Sequence, residues 1–573
     1  MIPSYFLLLT SYFTMISHLV VFIINILRAL VNLWRRLLRR RVDYVRIDLS
    51  GPLPEFAETV SWWQRRVLGH RQTHSVQELR RQLERIAADP QTAGVLLWID
   101  APLLGWAGIQ SLSDELVRFR ATGKRVVVYL AAINTSNYLI ACAADMVLAP
   151  PSAEFGVLGL RVEVQYLRDA LEHFGLRADV LAVSPYKSAG DQLVRSDMSP
   201  EERSQLERVL DQRYAALLGT IAAARGKTAD EVRALLDSAP LGAEQARDGG
   251  LLDGLAYEDE LEGLLTIGGR APVIREWSAA RRALRLMPLR HQRRLVAVVP
   301  VEGTIVPGSS RSLPLPLPLL GGEQAGADTV AQALRQAERS RRVAAVVLYV
   351  NSRGGDAFAS DLMWREVLRV GRSKPVVVAM GDFAASGGYY IAAPAAAILA
   401  RPATITGSIG VVLARLSAEE LLADLGINTV VLSRGAHTGL LSVSQPLSED
   451  DRAVLREQIM RLYDQFKRRV CEGRRLDAQQ VEPLAGGRIW LGQEAQALGL
   501  VDQLGGVPEA LMRAQELAGL PQDRSAPLLM LRGGGQPLPP QPFPASALVL
   551  LRDSVQTALR NQLWMILPFE MRD

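Results

Sequence analysis

The chain has 573 residues, 49% hydrophobic and 22% charged, a length and composition that allow two to four packed domains and exclude wholesale disorder. Two cysteines and six scattered histidines exclude a disulfide framework and a metal centre, and we expect no metal ion and no cofactor. The net charge of +5 is local, because residues 1–41 carry six arginines and no acidic residue, and subtracting these six leaves −1 for the rest. The chain therefore lacks the basic face that nucleic-acid binding requires, and we expect no nucleic-acid partner.

The N-terminal segment has the composition of a membrane anchor. Residues 5–27 carry no formal charge, and about 20 apolar residues suffice for a helix to cross a bilayer. A cleaved signal peptide would have a basic start, a shorter apolar core and a small-residue cleavage site, and the segment has none of these. We therefore predict an uncleaved transmembrane helix with a basic juxtamembrane segment over residues 1–41, in preference to a buried core helix. The arginines after the span predict that the rest of the chain stays in the cytoplasm.

Beyond residue 41 the sequence repeats itself. The stretch "YLIACAADMVLAPPSAEFGVLG" from residue 138 matches "YYIAAPAAAILARPATITGSIG" from residue 389, and four further blocks match at offsets of 250 or 251 residues. In each half, short apolar β-branched runs alternate with longer amphipathic segments, a pattern typical of parallel strands joined by helical crossovers. We predict two tandem α/β repeats with parallel sheets, over residues 42–285 and 286–522.

The chain ends in a segment of different composition, residues 523–573. A Pro/Gly-rich linker, "GGGQPLPPQPFP", precedes a predicted amphipathic helix over roughly residues 545–567. This helix could lie on the membrane or on a partner, and packing against its own domain is an equal alternative.

A serine follows one of the predicted strands of the second repeat. In "PVVVAMGDFAASGGYY" the strand is predicted to end near Met380 and a helix to begin around Ser386. The helix amides and macrodipole favour negative charge beside such a serine. Gly387 and Gly388 are poor helix formers, so they indicate close backbone contact. A helix-capping serine is the alternative interpretation.

A second pair of glycines follows the preceding strand, in "VNSRGGDAF". Neighbouring strand ends lie side by side in a parallel sheet, so amides near Gly354 and Gly355 could point at a carbon attacked by Ser386. Such amides would form an oxyanion hole.

A serine nucleophile also needs a base, and Lys187 is the first candidate. Only five of the 65 basic residues are lysine, and a lysine can lose its proton where an arginine cannot. Lys187 follows the apolar run "ADVLAV" in "SPYKSAGD", and burial can lower the pKa of a lysine far enough for it to act as a base. Ser188 could hydrogen-bond the amine and orient it. A surface lysine in a loop is the alternative for this residue, and His437 is the alternative base.

These motifs together resemble the S49 family of serine peptidases, the signal peptide peptidases, in their long, membrane-anchored and duplicated form. The resemblance rests on "NSRGG", "MGDFAASGGYYIAAPA", "TGSIG" and "YKSAGD" and covers about residues 42–520. It implies a crotonase/ClpP-like fold in each repeat, Ser386 as the nucleophile and Lys187 as the general base. It also implies that the turn of Gly354 and Gly355 forms the oxyanion site together with Gly387. One departure is Arg353, which stands where the family has proline.

The repeat offers an independent check on this assignment. A shift of 251 residues carries Ser386 back to Thr135 and Lys187 forward to Thr438, so each repeat keeps one member of the pair. We therefore expect a composite site, closed within one chain or between neighbouring chains. The resemblance implies a homo-oligomer, and the family forms tetramers.

The resemblance also implies a substrate and a location. The expected substrates are signal peptides and other apolar peptides in the membrane, and relatives of the long form place the catalytic part on the periplasmic side of the inner membrane. The arginine distribution favours the cytoplasmic side instead. Two other functions stay open from the sequence, a crotonase-like acyl-CoA hydratase or thioesterase and a non-catalytic membrane scaffold.

Overall fold

The computed structural model describes residues 3–37, 41–57, 74–289, 294–313, 322–533 and 563–566. These residues form two compact units. The first unit contains the described residues within Met1–Leu160 and Arg213–Arg293, and the second contains those within Arg161–Gln212 and Arg294–Arg572. The units do not coincide with the predicted repeats, because residues 161–212 of the first repeat belong to the second unit.

A parallel sheet forms the centre of the first unit. Its strands are β1 (Tyr44–Pro52), β2 (Gly94–Leu103), β3 (Arg125–Leu130), β4 (Met146–Ala149), β8 (Gly254–Leu255) and β9 (Ile274–Glu276). Strands β5 (Glu154–Phe155) and β7 (Leu241–Gly242) form a separate antiparallel pair. The sheet order is β8–β4–β3–β2–β1–β9, and every pairing in it is parallel. Fully buried residues such as Val126, Val127 and Val128 explain the apolar β-branched runs of the sequence, since both faces of the sheet are covered.

The helices of the first unit include the predicted amphipathic segment after residue 75. Ser75 caps that helix, because its hydroxyl accepts a hydrogen bond from the Glu78 N–H at 3.1 Å. The helices are α1 (Pro3–Leu37), α2 (Val76–Ala87), α3 (Trp106–Arg120), α4 (Thr135–Ala141), α8 (Ala229–Asp237), α9 (Ala243–Asp248), α10 (Leu261–Leu264) and α11 (Trp277–Ala283).

The N-terminal helix α1 contains the predicted span at residues 5–27 and continues beyond it. Its C-terminal half is bonded to the backbone of residues 284–289 through side chains on one helical face, those of Asn25, Arg28, Asn32 and Arg35. Among the residues that the structure describes, no helix combines the length and the hydropathy needed to cross a membrane.

Two sheets form the second unit. Their strands are β6 (Arg177–Ala182), β10 (Leu295–Glu302), β11 (Thr304–Val306), β12 (Arg311–Leu313), β13 (Gly322–Gly326), β14 (Val343–Ser352), β15 (Gly354–Asp356), β16 (Val376–Ala385), β17 (Ala397–Ala400), β18 (Ile405–Gly407), β19 (Val412–Ser417), β20 (Ile489–Leu491), β21 (Gln503–Leu504), β22 (Leu528–Met530) and β23 (Leu563–Ile566). One sheet has the order β20–β18–β16–β14–β10–β22 with β17 and β21 beside β16, and the other has the order β12–β13–β11–β15–β23–β19–β6. The first of these is parallel except for the β18–β20 pair, as the sequence predicts for an α/β repeat.

The second unit also contains helices. They are α5 (Arg168–His173), α6 (Asp191–Val194), α7 (Pro200–Arg225, which runs on into the first unit), α12 (Ala327–Arg339), α13 (Ala357–Gly371), α14 (Gly387–Ala392), α15 (Glu419–Asp424), α16 (Glu449–Arg474), α17 (Ala478–Val481), α18 (Gly492–Ala497) and α19 (Val507–Leu517). The core between helices and sheet is one continuous cluster that includes Val346, Leu348, Val378, Met363 and Leu334.

The pairing of β6 explains why residues 161–212 belong to the second unit. β6 lies antiparallel to β19 in a six-residue register that runs from Val412 opposite Ala182 to Ser417 opposite Arg177. The first repeat thus contributes an edge strand to a sheet of the second repeat, and it carries the following loop, with Lys187, into the same unit.

Two segments differ from the sequence-based expectations. Strand β16 ends at Ala385 and not near Met380, because Phe383, Ala384 and Ala385 pair with β18. Leu563–Ile566, predicted as the end of an amphipathic helix, forms strand β23 between β15 and β19, where both neighbours offer backbone partners. The rest of that predicted helix lies outside the described residues.

Candidate active site

Ser386 occupies the junction between β16 and α14 in a strained backbone conformation. Its φ of 54° and ψ of −116° are values that residues other than glycine rarely adopt. Two backbone hydrogen bonds hold it there: the Ser386 N–H donates to the Gly407 carbonyl at 2.8 Å, and the Tyr390 N–H donates to the Ser386 carbonyl at 2.8 Å. The hydroxyl makes no capping hydrogen bond to the described backbone of α14. Helix capping therefore does not explain this serine.

The two glycines after the serine are required by the space around them. A methyl group on Gly387 would lie 3.3 Å from both the Cα of Gly354 and the amide nitrogen of Gly355. A methyl group on Gly388 would lie 2.8 Å from the Ser352 carbonyl oxygen. The close backbone contact expected from the sequence is therefore contact with the turn that leads into β15, and the structure brings the three predicted oxyanion glycines together.

The turn into β15 is held without the proline that the family has there. Gly354 adopts a φ of 109°, in the region that favours glycine. The Ser352 hydroxyl accepts from the Gly354 N–H at 3.1 Å and donates to the Gly303 carbonyl at 2.6 Å. The guanidinium of Arg353 lies 4.6 Å from the centre of the Phe383 ring. These contacts fix the turn from both sides.

Lys187 reaches the serine from the loop after β6. Its side chain is 1% exposed, and Nζ lies 2.8 Å from Ser386 Oγ, 2.9 Å from Ser408 Oγ and 3.0 Å from the Ser408 carbonyl oxygen. Burial lowers the pKa of Lys187 from 10.5 to about 7. Both Lys187 and Ser386 belong to the second unit of one chain.

This arrangement suits a neutral amine. A neutral lysine has two N–H donors and one lone pair. The two donors can be directed to the hydroxyl and the carbonyl of Ser408, and the lone pair can then accept the proton of the Ser386 hydroxyl. The site can therefore prepare an alkoxide-like oxygen without a histidine.

Ser408 is the functional residue that the sequence analysis missed. It belongs to the quoted motif "TGSIG" and has a φ of 51°, which places its hydroxyl and its carbonyl on the same amine. The signal that could have identified it is a hydroxyl residue directly after Gly407 and two residues before Gly410.

Ser188 does not have the orienting role expected of it. Its hydroxyl hydrogen-bonds to Glu202, a carboxyl group that is 1% exposed and that also accepts from the Tyr166 hydroxyl at 2.7 Å. Adjacent residues of an irregular loop point in different directions, so proximity in sequence did not give proximity to Nζ. The contacts expected of Ser188 are made by Ser408.

His437, the alternative base, has another partner. Its Nδ1 lies 2.9 Å from Asp451 Oδ1, and its side chain is 45% exposed. Thr438, which matches Lys187 in the repeat, is exposed, and Thr135, which matches Ser386, is the buried first residue of α4. The two repeats therefore differ in structure at both positions.

The buried amine should make stability depend on pH. Because the pKa of Lys187 is about 7 in the folded chain and 10.5 for an exposed lysine, the unfolded chain binds one more proton between these values. The free energy of unfolding should therefore rise with pH from about 7 towards 10, at up to about 1.4 kcal/mol per pH unit. Urea unfolding at pH 7, 8 and 9 should show this rise in the wild type relative to Lys187→Met. An equal pH dependence in the two proteins would contradict a neutral buried lysine.

The chain is similar to known peptidases over both repeats. The model of Peptidase family S49 matches residues 118–266 and 369–521. The relative "Serine protease SPPA, chloroplastic" from Arabidopsis thaliana is 32% identical over 475 residues, which are 81% of this chain and 69% of the relative. "Protease 4" from Haemophilus influenzae is 30% identical over 467 residues, which are 77% of this chain and 72% of that protein.

Two further matches have lower identity. "Protease 4" from Salmonella typhi is 29% identical over 472 residues, 79% of this chain and 73% of the relative. A solved structure of a ClpP1 mutant from Listeria monocytogenes is 16% identical, covers 37% of this chain and 94% of its own, and has a TM-score of 0.24, too low to carry an argument. The family model and the similarity to curated relatives favour a peptidase over an acyl-CoA enzyme. The chain belongs to peptidase family S49 and is a serine-type peptidase.

Proposed function

We propose that this chain is a membrane-anchored serine endopeptidase that uses Ser386 as the nucleophile and Lys187 as the general base to degrade signal peptides left in the membrane. The observation that carries the proposal is the 2.8 Å separation between Nζ and Oγ, with both side chains almost wholly buried. No other basic side chain among the described residues bonds to the Ser386 hydroxyl.

The first chemical step follows from this geometry. Ser386 Oγ attacks the carbonyl carbon of the scissile peptide, and its proton passes to the lone pair of Lys187. With a pKa of about 7, about half of the lysines are neutral at pH 7, against roughly one in a thousand for an exposed lysine. Ser408 holds the amine through two hydrogen bonds while it gains the proton.

The negative charge that develops on the carbonyl oxygen must be stabilised by hydrogen-bond donors. The amides of the turn at Gly354 and Gly355 and that of Gly387 are the proposed donors, because a methyl group on Gly387, the residue after the nucleophile, would lie only 3.3 Å from that turn. Lys187 then returns its proton to the leaving amine, the C–N bond breaks, and an acyl ester remains on Ser386. A water molecule then gives a proton to the same lysine and attacks the ester carbon, the bond to Ser386 Oγ breaks, and Oγ takes that proton back as the acid product leaves.

The site is shaped for an extended peptide backbone. Strand β23 of the chain itself lies antiparallel to β15 on one side and to β19 on the other, with Met565 opposite Gly355. This register shows that the edge beside the oxyanion turn can pair with a strand. A substrate bound in the same manner would present its backbone to Ser386, with specificity coming from alternate side chains.

The proposal of a membrane location rests on the N-terminal sequence. Residues 25–35 of α1 are bonded to the backbone of residues 284–289, which leaves residues 3–24 for the bilayer, about 33 Å of helix. The family resemblance favours the periplasmic side of the inner membrane for the catalytic part, and the arginines after the span favour the cytoplasmic side. A reporter fused after Asp573 and read for periplasmic or cytoplasmic activity separates the two.

The test of the function is hydrolysis of a lipophilic peptide in detergent micelles by wild type and Ser386→Ala, with labelling by a fluorophosphonate probe. We expect the wild type to cleave and to be labelled, and Ser386→Ala to do neither. Thr135→Ala, at the matching position of the first repeat, is the control and should behave as the wild type. Labelling of the Ser386→Ala protein, or a folded wild type that neither cleaves nor reacts, would favour a non-catalytic scaffold or a different nucleophile.

A further inference from the structure

One face of helix α7 takes the place of a neighbouring strand along β20, which is the edge strand of its sheet. The Ile489 N–H donates to Gln205 Oε1 at 3.0 Å, and the Ile489 carbonyl accepts a hydrogen bond from the Arg208 guanidinium. Gln205 and Arg208 are three residues apart, so they lie on the same side of the helix. The backbone of the edge strand is therefore bonded to side chains of a helix and not to a further strand.

Gln205 also contacts the loop that carries Lys187. Its Nε2 donates to the Tyr186 carbonyl at 3.1 Å, and Tyr186 is the residue before Lys187. Because a carbonyl only accepts and a backbone N–H only donates, this orientation of the amide is the one that satisfies both partners. Gln205 is buried, so the loss of either hydrogen bond would leave a buried polar group unsatisfied.

The strand on the other side of this link holds the nucleophile. Ile489 lies opposite Gly407 in the β18–β20 pair, and the Gly407 carbonyl accepts from the Ser386 N–H at 2.8 Å. The next residue, Ser408, holds Nζ of Lys187 through its hydroxyl and its carbonyl. One amide side chain therefore connects the backbone beside the base to the strand pair that anchors the nucleophile.

The opposite side of Lys187 is held by the same helix. The next residue, Ser188, hydrogen-bonds through its hydroxyl to the buried carboxyl group of Glu202. Glu202 lies one turn before Gln205 on α7. The helix thus bonds to the residues on both sides of the lysine, and the contact through Gln205 also reaches β20.

We propose that Gln205 is a positioning residue of the active site, which sets the distance between Lys187 and Ser386 by linking the backbones that carry them. The inference rests on the proposed function, in which Lys187 accepts the proton of Ser386. Among the described residues, the side chain of Gln205 bonds to backbone groups alone, and an amide has no proton to exchange near neutral pH. Its contribution is therefore to the geometry of the base and not to the proton transfer itself.

The first test is Gln205→Met, which keeps an unbranched side chain of similar length and removes both hydrogen bonds. We expect kcat to fall about 100-fold while KM changes less than about threefold, because the base is misplaced and the substrate keeps its own contacts. The midpoint of the pH profile of kcat/KM should also move up from about 7, towards the pKa of an exposed lysine, because a displaced Lys187 is less completely buried.

Gln212→Met is the matched control. Gln212 lies two turns further along α7, and its Nε2 donates to Glu494 Oε1 at 2.8 Å. The control removes a hydrogen bond between the same helix and the same part of the unit, away from the lysine loop, so kcat and the pH midpoint should stay at the wild-type values. Both variants should keep the wild-type circular dichroism. Equal losses of kcat in the two variants would show that the packing of α7 controls the rate, which would overturn the inference.

A double-variant cycle tests whether Gln205 acts through Lys187. The readout is the rate of fluorophosphonate labelling of Ser386, which is measurable in slow variants by long incubation. Added to Lys187→Ala, Gln205→Met should lower the remaining rate by less than about threefold, because the base that it positions is already absent. A further loss of about 100-fold in that background would assign Gln205 another role and contradict the inference.

The same set of variants distinguishes failure of this inference from failure of the proposed function. If Lys187→Ala keeps the wild-type activity, the proposed function fails and the inference fails with it. If Lys187→Ala is inactive while Gln205→Met cleaves peptides at the wild-type rate with an unchanged pH midpoint, only the inference on Gln205 is overturned.

Discussion

Replacement of Lys187 by alanine or by arginine is expected to lower kcat/KM for peptide hydrolysis by roughly 1,000-fold. Alanine removes the only basic group that contacts the Ser386 hydroxyl among the described residues. Arginine keeps the positive charge but cannot release its proton at neutral pH, so it cannot accept the serine proton. In the wild type, kcat/KM should rise with pH through about 7 and then level, as the pKa of Lys187 requires.

Two control variants test whether the loss of activity is specific to Lys187. Lys374 also contacts backbone carbonyls, those of Ala337 and Ser340 at 2.7 Å, and Lys374→Arg should keep its activity. His437→Ala should keep its activity too, since His437 bonds to Asp451. Activity that survives Lys187→Arg but is lost in His437→Ala would transfer the role of base to the histidine.

The same variants test whether one chain holds a whole site. Because Lys187 and Ser386 meet within one chain, a mixture of the Lys187→Ala and Ser386→Ala proteins should show no more activity than either alone. Recovered activity in the mixture would mean that loops bearing Lys187 are exchanged between copies.

The sequence singled out Ser386 and Lys187, which the structure brings together, but it did not indicate the residues that support them. Ser386 and Lys187 stand out because their neighbours are small or apolar and because lysine is scarce, and these are local properties. Ser408 does not stand out, because its role depends on a φ of 51° and on a loop that arrives from 221 residues away. The position of Ser188 next to Lys187 in the sequence predicts a contact with the amine, but its hydroxyl bonds to Glu202 instead.

The boundaries of the two units are a second feature that the sequence predicted only in part. The repeat predicted two α/β halves, and both units contain the expected parallel sheets. It did not predict that β6 would pair with β19, because strand pairing over more than 200 residues leaves no periodic signal in the sequence. The same holds for β23, whose strand form depends on the free edges of β15 and β19.

Gly487→Ala is expected to reduce kcat/KM by about 100-fold, since an error of about 1 Å in the position of a catalytic group can have that effect. A methyl group on Gly487 would lie 2.6 Å from the Cβ and 2.7 Å from the Cα of Lys187, so the lysine backbone would have to move. The displaced Nζ would lose its alignment with Ser386 and Ser408. The backbone at Gly487 has a φ of 88°, so alanine there also costs about 1 kcal/mol of stability.

The adjacent glycine provides the matched control. Gly486 has a φ of 71°, so Gly486→Ala introduces similar backbone strain, but its methyl group would meet only the Ser184 hydroxyl at 3.1 Å and the Ser184 Cβ at 3.6 Å. Both variants should therefore unfold at lowered temperatures, Gly487→Ala at the lower of the two, while only Gly487→Ala should lose most of its kcat/KM and shift the midpoint of its pH profile. Equal losses of activity in the two variants would show that strain in the turn, and not displacement of Lys187, controls the rate.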